Sequence, residues 1–371
     1  MTVAAAQTRV CPTCGATARD NAYCTGCGRN LASLAELPSR SDWERRTSAS
    51  GARAGSYATS TAPLGATSSV RALLHPSEQS RFVLAMLAAG ALIAFVALLL
   101  VAAHAGAVAL GTGAVVLILT LAALWIAQQL FRARLLGRSV KVGPESQPEL
   151  QALVDEIVET LQYRRRIDVY ITAKENEPVT MTSFLGTRAI MIEGGVVSEL
   201  LERDKRAQLV YLIGRHVGAL RAKHTRLDLL VVLLAVANAL RFVSPLLLPW
   251  YRATTYSGDQ IGMMCCGDLD AALEATRRLL VGKELARDMP AGSVMAQVGV
   301  VRHHALARWT QLFAAEPHAI NRYANLLCFG RYHDPATAER LRASMAPEEA
   351  RMLDALWDRS PHRRRLARLG V

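Results

Sequence analysis

Two long apolar runs dominate the hydropathy pattern of the chain. Residues 82–103 and 108–130 contain no charged side chain, and the four residues 104–107 separate them. Each run is long enough for a helix to cross the hydrocarbon core of a bilayer, and each is apolar on all faces. The pattern predicts a two-helix transmembrane hairpin at 80–134. A buried helical hairpin in a soluble protein is the alternative.

Basic residues beside these runs predict the orientation of the hairpin. Arg81 precedes the first run, a basic cluster follows the second, and 104–107 carry no Lys or Arg. The cluster consists of Arg132, Arg134, Arg138 and Lys141. Because Lys and Arg are enriched in short cytoplasmic flanks, we expect a multi-pass protein of the cell membrane. Both termini and the domain that follows the hairpin would be cytoplasmic.

The periodicity changes beyond Pro144 to that of a globular domain. Apolar residues recur at helical spacing in 149–163 and in a long run at 199–226, and short strands are predicted between them. The strands are predicted at 167–172, 180–185 and 188–193. The fold class is therefore mainly α with a small β-sheet. A third apolar stretch, 227–250, is interrupted by charge and proline, and we expect it to lie on the membrane or dip into it.

The N-terminal thirty residues carry a repeated cysteine pattern and no cleavable signal peptide is predicted there. Cys11, Cys14, Cys24 and Cys27 form two C-x-x-C-G pairs, and four thiolates at this spacing predict one structural zinc with a closed coordination shell. A pair of disulfides is the alternative, but a cytosolic location disfavours it. We expect a zinc ribbon at 1–30 and a Ser/Thr/Gly-rich disordered linker at 31–79.

Charge is consistent with two kinds of partner. The formal charge is +12 and the pI about 9.7, and arginines concentrate in a predicted helical basic tail at 333–371. Such a surface suits anionic lipid or nucleic acid. Nucleic acid is the less favoured partner, because stacking needs aromatics among the basic residues, and the ribbon has only Tyr23 while no aromatic follows Ser360.

The run LIGRHVGALRAKH at 212–224 has the frame of a zinc-protease helix, in which H-E-x-x-H supplies two metal ligands and a base. It follows TSFLGTRAIMIEGG at 182–195, and WYRATTYSGDQIGMMCCGDLDAAL follows at 250–273. This succession resembles the HtpX and CAAX prenyl protease family of integral-membrane zinc metallopeptidases. The resemblance implies an α+β zincin-like peptidase domain at 135–332, with 227–250 apposed to the membrane.

The four positions that would carry catalysis in that family are changed in this sequence. The resemblance places Arg215 and Ala219 at the two His ligands, His216 at the general-base Glu and Thr255 at the third ligand. Arginine is a permanent cation and alanine has no donor atom. Peptide hydrolysis of this type needs a metal-bound water with a base beside it. We therefore expect no catalytic zinc and no peptidase activity.

Displaced ligands could in principle rebuild a metal site. The candidates are His224, Cys265, Cys266, His303, His304 and His318, and none of them has i, i+4 metal spacing. The family's Asp that orients a metal-binding His is retained as Asp259. We hypothesise that Arg215 fills the metal position and pairs with Asp259; the alternative is that Arg215 turns outward to solvent.

The resemblance also implies that the strand before the helix binds extended substrate by strand addition, which needs no metal. Thr182, Ser183 and Phe184 would form this edge. The favoured prediction is a membrane-anchored, inactive pseudopeptidase that binds protein segments or acts as a scaffold. An active zinc metalloendopeptidase with migrated ligands and a membrane-tethered nucleic-acid binder are the alternatives, and the oligomeric state is left open.

Overall fold

The computed structural model describes residues 70–102, 107–173, 178–184, 187–202, 205–227 and 240–364. The predicted zinc ribbon, with Cys11, Cys14, Cys24 and Cys27, lies outside the described residues, as does most of the predicted linker. The zinc ribbon therefore stays a prediction.

Helices make up most of the described chain, as the sequence predicts. In chain order they are α1 (Glu78–Ala102), α2 (Ala107–Arg138), α3 (Pro148–Thr160), α4 (Gly194–Leu200), α5 (Arg206–Arg221), α6 (Leu240–Cys266), α7 (Leu269–Val281), α8 (Lys283–Asp288), α9 (Ala291–His303), α10 (Ala305–Thr310), α11 (Ala319–His333), α12 (Pro335–Ala343) and α13 (Pro347–Arg359). Short 3-10 helices occur at Val70–Leu73, His224–Leu227 and Gln311–Phe313.

A small mixed sheet accompanies the helices. Its strands are β1 (Val140–Lys141), β2 (Asp168–Thr172), β3 (Val179–Phe184) and β4 (Thr187–Glu193), in the order β1-β2-β4-β3. β4 pairs parallel with β2 and antiparallel with β3, so β3 lies at one edge. The prediction of a mainly α protein with a small β-sheet is confirmed at this level.

One hydrophobic core joins the sheet to the helices. Five side chains of one cluster are 0% exposed: Leu150 and Leu153 of α3, Ile190 and Ile192 of β4, and Leu209 of α5. The α3 side chains lie at helical spacing and the β4 side chains at a spacing of two, so each element buries one face. This core holds α5, the helix that carries the candidate site, on the sheet.

The core includes residues from two segments that were predicted to lie outside the domain, the linker 31–79 and the tail 333–371. Leu73, in the predicted linker 31–79, is 3% exposed and packs in the core. In the predicted tail 333–371, Ala338 of α12 and Leu353 and Leu356 of α13 are buried in the same core. Leu353 and Leu356 are three residues apart on one helical face. The arginine content of the tail obscured this apolar stripe.

The long helix predicted at 199–226 is divided in the structure. α4 ends at Leu200, α5 begins at Arg206, and a 3-10 turn follows α5 at His224–Leu227. Lys223 has a positive φ of 61°, which is incompatible with continuing the helix. The third apolar stretch is described only from Leu240, where α6 begins and continues through Pro245 and Pro249 to Cys266.

α1 and α2 expose many large apolar side chains. The exposed fraction is 66% for Leu87 and 64% for Leu98 of α1. On α2 it is 64% for Ile118, 62% for Leu119 and 58% for Trp125. Among the described residues, the stretch Gly113–Arg138 is long and apolar enough to cross a membrane. The two-span hairpin and the membrane location stay predictions.

Candidate functional site between two glycine-notched helices

α5 and α6 cross at close range because each helix carries glycines four residues apart at the crossing. A Cβ at Gly218 of α5 would lie 2.5 Å from the Ile261 side chain, and one at Gly262 of α6 would lie 2.8 Å from the Tyr211 carbonyl oxygen. Gly214 and Gly258 complete the two pairs. Small residues at this spacing let two helix backbones approach closely, which brings Arg215 and Asp259 face to face.

Asp259 is the centre of a fully buried polar group at this crossing. Arg322 of α11 binds it in bidentate fashion, with Nε donating to Oδ2 and Nη2 to Oδ1, both at 2.8 Å. The Arg215 Nε lies 3.7 Å from Oδ1, and the Tyr211 hydroxyl donates to Oδ1 at 3.2 Å. We call these four residues the charge cluster.

The hypothesised pairing of Arg215 with Asp259 is present, and Arg215 does not turn outward. The Arg215 side chain is 8% exposed and that of Asp259 1%. However, the contact of Arg215 with Asp259 is an ion pair at 3.7 Å, whereas Arg322 donates two hydrogen bonds at 2.8 Å. Arg322 is therefore the principal partner of Asp259.

The sequence reasoning did not identify Arg322. A signal for it existed, since Arg322 interrupts an apolar face of α11 formed by Tyr323, Leu326 and Leu327, all buried. A lone arginine on such a face predicts a buried carboxylate partner elsewhere.

The electrostatics of the charge cluster follow from its composition. Burial acts to raise the pKa of Asp259, but the positive charges of Arg322 and Arg215 outweigh it and leave that pKa below its usual 3.8. Burial, and then the Asp259 charge, raise the pKa of Tyr211. The cluster thus holds two cations, one carboxylate and a neutral phenol, with a formal charge of +1 in the protein interior.

His216 has a structural contact rather than a free imidazole. Its Nε2–H donates to the Val179 carbonyl on β3 at 3.1 Å. Burial, and then the charge of Arg215, lower the pKa of His216 well below 6.5, so the ring is neutral at pH 7. His216 therefore fastens α5 to the edge strand.

The register of β3 defines which of its backbone groups face away from the sheet. The Glu193 N–H donates to the Pro178 carbonyl at 2.9 Å, so the backbone groups of even-numbered β3 residues point toward β4. The outward groups are those of Val179, Met181 and Ser183. His216 engages the outward carbonyl of Val179, at the beginning of the strand.

The other predicted site residues lie apart from the charge cluster or make local contacts. The Thr255 hydroxyl donates to the Tyr251 carbonyl one turn earlier at 3.2 Å, and Ala219 is partly buried on α5. Thr182 and Phe184 lie on β3, and the Ser183 hydroxyl contacts the Thr225 hydroxyl at 3.3 Å.

The candidate replacement ligands are dispersed. Burial raises the pKa of the Cys265 and Cys266 thiols to about 12, which keeps them protonated. His303 and His304 are exposed at the end of α9. Within the described part of the chain, no group of three or more His, Cys, Asp or Glu side chains has the arrangement of a metal site.

A second buried polar group joins α1 to the domain. Glu78, in the first turn of α1, accepts from the Ser257 hydroxyl of α6, and its Oε1 lies 3.2 Å from His224 Nε2. The His75 backbone N–H donates to Ser257 Oγ at 2.8 Å. We call Glu78, His224, Ser257 and His75 the anchor cluster.

Burial acts in opposite directions on the pKa values of His75 and Glu78 in the anchor cluster. It lowers the pKa of His75 to about 3, with further contributions from His362 and Arg81. It acts to raise the pKa of Glu78, but the contacts with His224 and Ser257 outweigh it, and that pKa lies below 4.5. At pH 7 the anchor cluster therefore contains a neutral His75 and an ionised Glu78.

Comparison of the chain with protein-family models, with curated proteins and with solved structures gave no match.

Proposed function

We propose that the chain is a membrane-anchored metallopeptidase homologue of the HtpX type that does not hydrolyse peptides. It would instead bind extended protein segments at the cytoplasmic membrane face. The observation that carries the proposal is the charge cluster, in which Arg215 and Arg322 share Asp259 at the crossing of α5 and α6.

The charge cluster disfavours a catalytic metal at this crossing. A divalent cation there would meet two permanently charged guanidiniums, and like charges in a poorly solvated interior repel strongly. Asp259 has both carboxylate oxygens engaged by Arg322 and Tyr211. His216 donates its Nε2–H to Val179, so this nitrogen is not a ligand in the observed tautomer. These contacts favour a fold stabilised without the metal.

Membrane anchoring is supported by the surface of the two apolar helices. Leu87 and Leu98 of α1 and Ile118 and Leu119 of α2 are exposed, and contiguous apolar surface of this extent is unfavourable in water. Arg132, Arg134 and Arg138 lie at the C-terminal end of α2, after its apolar run, as expected for a cytoplasmic flank. The anchor cluster would then join the first span to that domain.

Peptide binding is supported by the edge position of β3. An added strand would hydrogen-bond to outward backbone groups of Met181 and Ser183. His216 and Thr225 contact β3 at Val179 and Ser183 respectively, and these contacts stiffen the edge. A preorganised edge loses less entropy when it binds a segment.

Metal content and hydrolysis test the loss of catalysis. Purified full-length protein is expected to contain one zinc per chain, and Cys11→Ala with Cys14→Ala is expected to remove it. Labelled casein should stay intact with or without a chelator. A second zinc that survives the cysteine substitutions, together with chelator-sensitive casein cleavage, would contradict the proposal and favour the migrated-ligand alternative.

Proline at position 181 tests strand addition. Met181→Pro removes an outward N–H while leaving the hydrogen bonds between β3 and β4, and edge strands tolerate proline. We expect the Kd for fluorescein-labelled casein to rise about tenfold, the equivalent of about 1.4 kcal/mol. Met181→Ala, which keeps the N–H, is the matched control. Equal affinities for the two variants would exclude β3 as the binding edge.

A further inference from the structure

The segment 305–313, which comprises α10 and the 3-10 turn Gln311–Phe313, presents an unusual surface. Leu306, Trp309, Leu312 and Phe313 are 69%, 63%, 40% and 53% exposed. The rings of Trp309 and Phe313 stack edge to face with centroids 5.5 Å apart. We call these four side chains the apolar face.

The inner side of the same segment is held by polar contacts. The Arg252 guanidinium of α6 donates to the carbonyls of Gln311 at 2.7 Å and Ala314 at 2.9 Å. His318 Nε2 donates to the Ala307 carbonyl at 3.1 Å. The usual amphipathic arrangement is therefore reversed, because polar groups fix the segment to the protein and apolar groups point outward. An exposed apolar patch of this kind indicates an interaction surface.

The segment 305–313 lies close to the start of the apolar run of α1. Phe82, the first residue of the predicted span, stacks against Trp250 with centroids 5.6 Å apart, and the Arg81 guanidinium donates to the Pro249 carbonyl at 3.2 Å. Arg252, which holds the segment, lies three residues beyond Pro249 on α6. The two residues are therefore only about 4.5 Å apart along the helix axis. The apolar face therefore lies near the level at which α1 begins its apolar run.

The charges beside the apolar face suit the same environment. Arg81 and Arg252 lie close enough for the charge of Arg81 to lower the pKa of Arg252, after the larger effect of burial. The Arg226 guanidinium lies 3.5 Å from the centre of the Phe82 ring, and Arg302 is exposed at the end of α9. Arginines at the start of an apolar span and close to an exposed apolar face are typical of the headgroup level of anionic membranes.

We propose that the apolar face of 305–313 inserts into the headgroup region of the bilayer beside α1. It would form a second, non-spanning contact that fixes the orientation of the domain on the membrane. This inference rests on the membrane anchoring of the proposed function. A domain with both contacts cannot rotate freely about α1, so β3 would keep one orientation relative to the bilayer.

Depth-dependent fluorescence quenching tests the insertion. The full-length chain, with Trp125→Phe to reduce lipid-facing background, is placed in nanodiscs of phosphatidylcholine and phosphatidylglycerol. The Trp309 signal is the difference between this protein and the same protein with Trp309→Phe. We expect lipids brominated near the headgroup to quench that signal at least about twofold more than lipids brominated near the chain ends, with weak quenching by aqueous acrylamide.

A matched control places tryptophan on an exposed surface at the other end of α5. Leu285 is 65% exposed on α8. Arg278 of α7, the helix before α8, contacts Gln208 near the start of α5, about 20 Å along the helix from the end of α5 at Arg221. In the Trp125→Phe, Trp309→Phe background, Leu285→Trp should be quenched by acrylamide and not by brominated lipid.

The outcomes separate this inference from the proposed function. If the chain resists carbonate extraction and Trp309 responds like Trp at position 285, the insertion is wrong while the anchoring stands. Shielding of Trp309 from both quenchers would assign the face to a protein partner or, if it depends on protein concentration, to a second copy. If carbonate releases the chain, both the anchoring and the inference are wrong.

Discussion

The charge cluster and the anchor cluster are both buried at α6, but they are built from different chemistry. The charge cluster contains two arginines, and a guanidinium stays protonated throughout the accessible pH range. The four residues of the anchor cluster include no arginine, and its carboxylate, Glu78, contacts the His224 imidazole and the Ser257 hydroxyl. Each cluster also holds one carboxylate, Asp259 or Glu78, whose pKa lies below its ordinary value, but only that of the charge cluster is paired with permanent cations.

The two clusters also join different parts of the molecule. The charge cluster connects α5, α6 and α11 within the domain, with Tyr211 also contacting Thr276 of α7 at 3.1 Å. The anchor cluster connects α1 to the turn after α5 and to Ser257 of α6. The difference indicates that the domain's integrity depends on a carboxylate paired with permanent cations, whereas its attachment to the predicted span depends on a carboxylate held by a hydroxyl and an imidazole.

The strongest test of this difference removes the single carboxylate of the charge cluster. Asp259→Asn leaves two buried guanidiniums without a counter-charge, and breaking a buried ion pair costs about 3–5 kcal/mol. We expect a loss of that size in the free energy of unfolding, measured by urea titration in mild detergent. Asp288→Asn, at an exposed aspartate at the end of α8, should change it by less than about 0.5 kcal/mol.

A triple variant keeps this test informative if Asp259→Asn does not fold. Adding Arg215→Met and Arg322→Met replaces the whole ionic group with neutral side chains, and such replacements are often tolerated. The triple variant should recover most of the lost stability. A triple variant as unstable as Asp259→Asn would mean that the charges are not the cause of the loss.

The relative weight of the two arginines is the next prediction. Arg322→Met removes both hydrogen bonds to Asp259, and we expect a cost of about 2–4 kcal/mol in unfolding free energy. Arg215→Met removes only the 3.7 Å ion pair and leaves the bidentate pair, so its cost should be about 1 kcal/mol or less. Equal costs, measured by the same titration, would restore Arg215 as the main partner.

This asymmetry also marks how far the sequence could predict the site. The strands, the predominance of helix and the approach of Arg215 to Asp259 follow from local periodicity and from one family frame. Arg322 lies 63 residues from Asp259, and no local pattern encodes which buried cation meets which carboxylate. The division of 199–226 between α4 and α5, and the end of α5 before Lys223 with its positive φ, were missed because neither Gly nor Pro marks these positions in the sequence.

Burial of the predicted linker end and tail was missed for a related reason. Leu73 lies with Val70 and Leu74 in a short apolar group at the end of the predicted linker, and its burial depends on a surface supplied by distant elements. Leu353 and Leu356 had a readable helical spacing, but the surrounding arginines dominated the composition. Average composition predicts solvation of a segment, whereas packing depends on its one apolar face.

The anchor cluster supplies the smallest of these effects, and the charge of Glu78 makes it depend on pH. Because the pKa of Glu78 in the folded protein is below its ordinary value of 4.5, the unfolded chain binds this proton more readily. The stabilisation by ionised Glu78 is complete above pH 4.5 and is lost as the pH falls through the lower folded-state pKa. Glu78→Gln should therefore cost about 1–2 kcal/mol at pH 7 and progressively less in acid.

Urea titrations of the two proteins at several pH values between neutrality and the acid limit would measure this difference. Glu159→Gln, at an exposed carboxylate of α3, is the matched control and should give a small difference. A Glu78→Gln cost that stays constant into acid would show that Glu78 acts through shape and hydrogen bonding alone. The stabilisation by the anchor cluster would then not depend on the charge of Glu78, in contrast to that of Asp259 in the charge cluster.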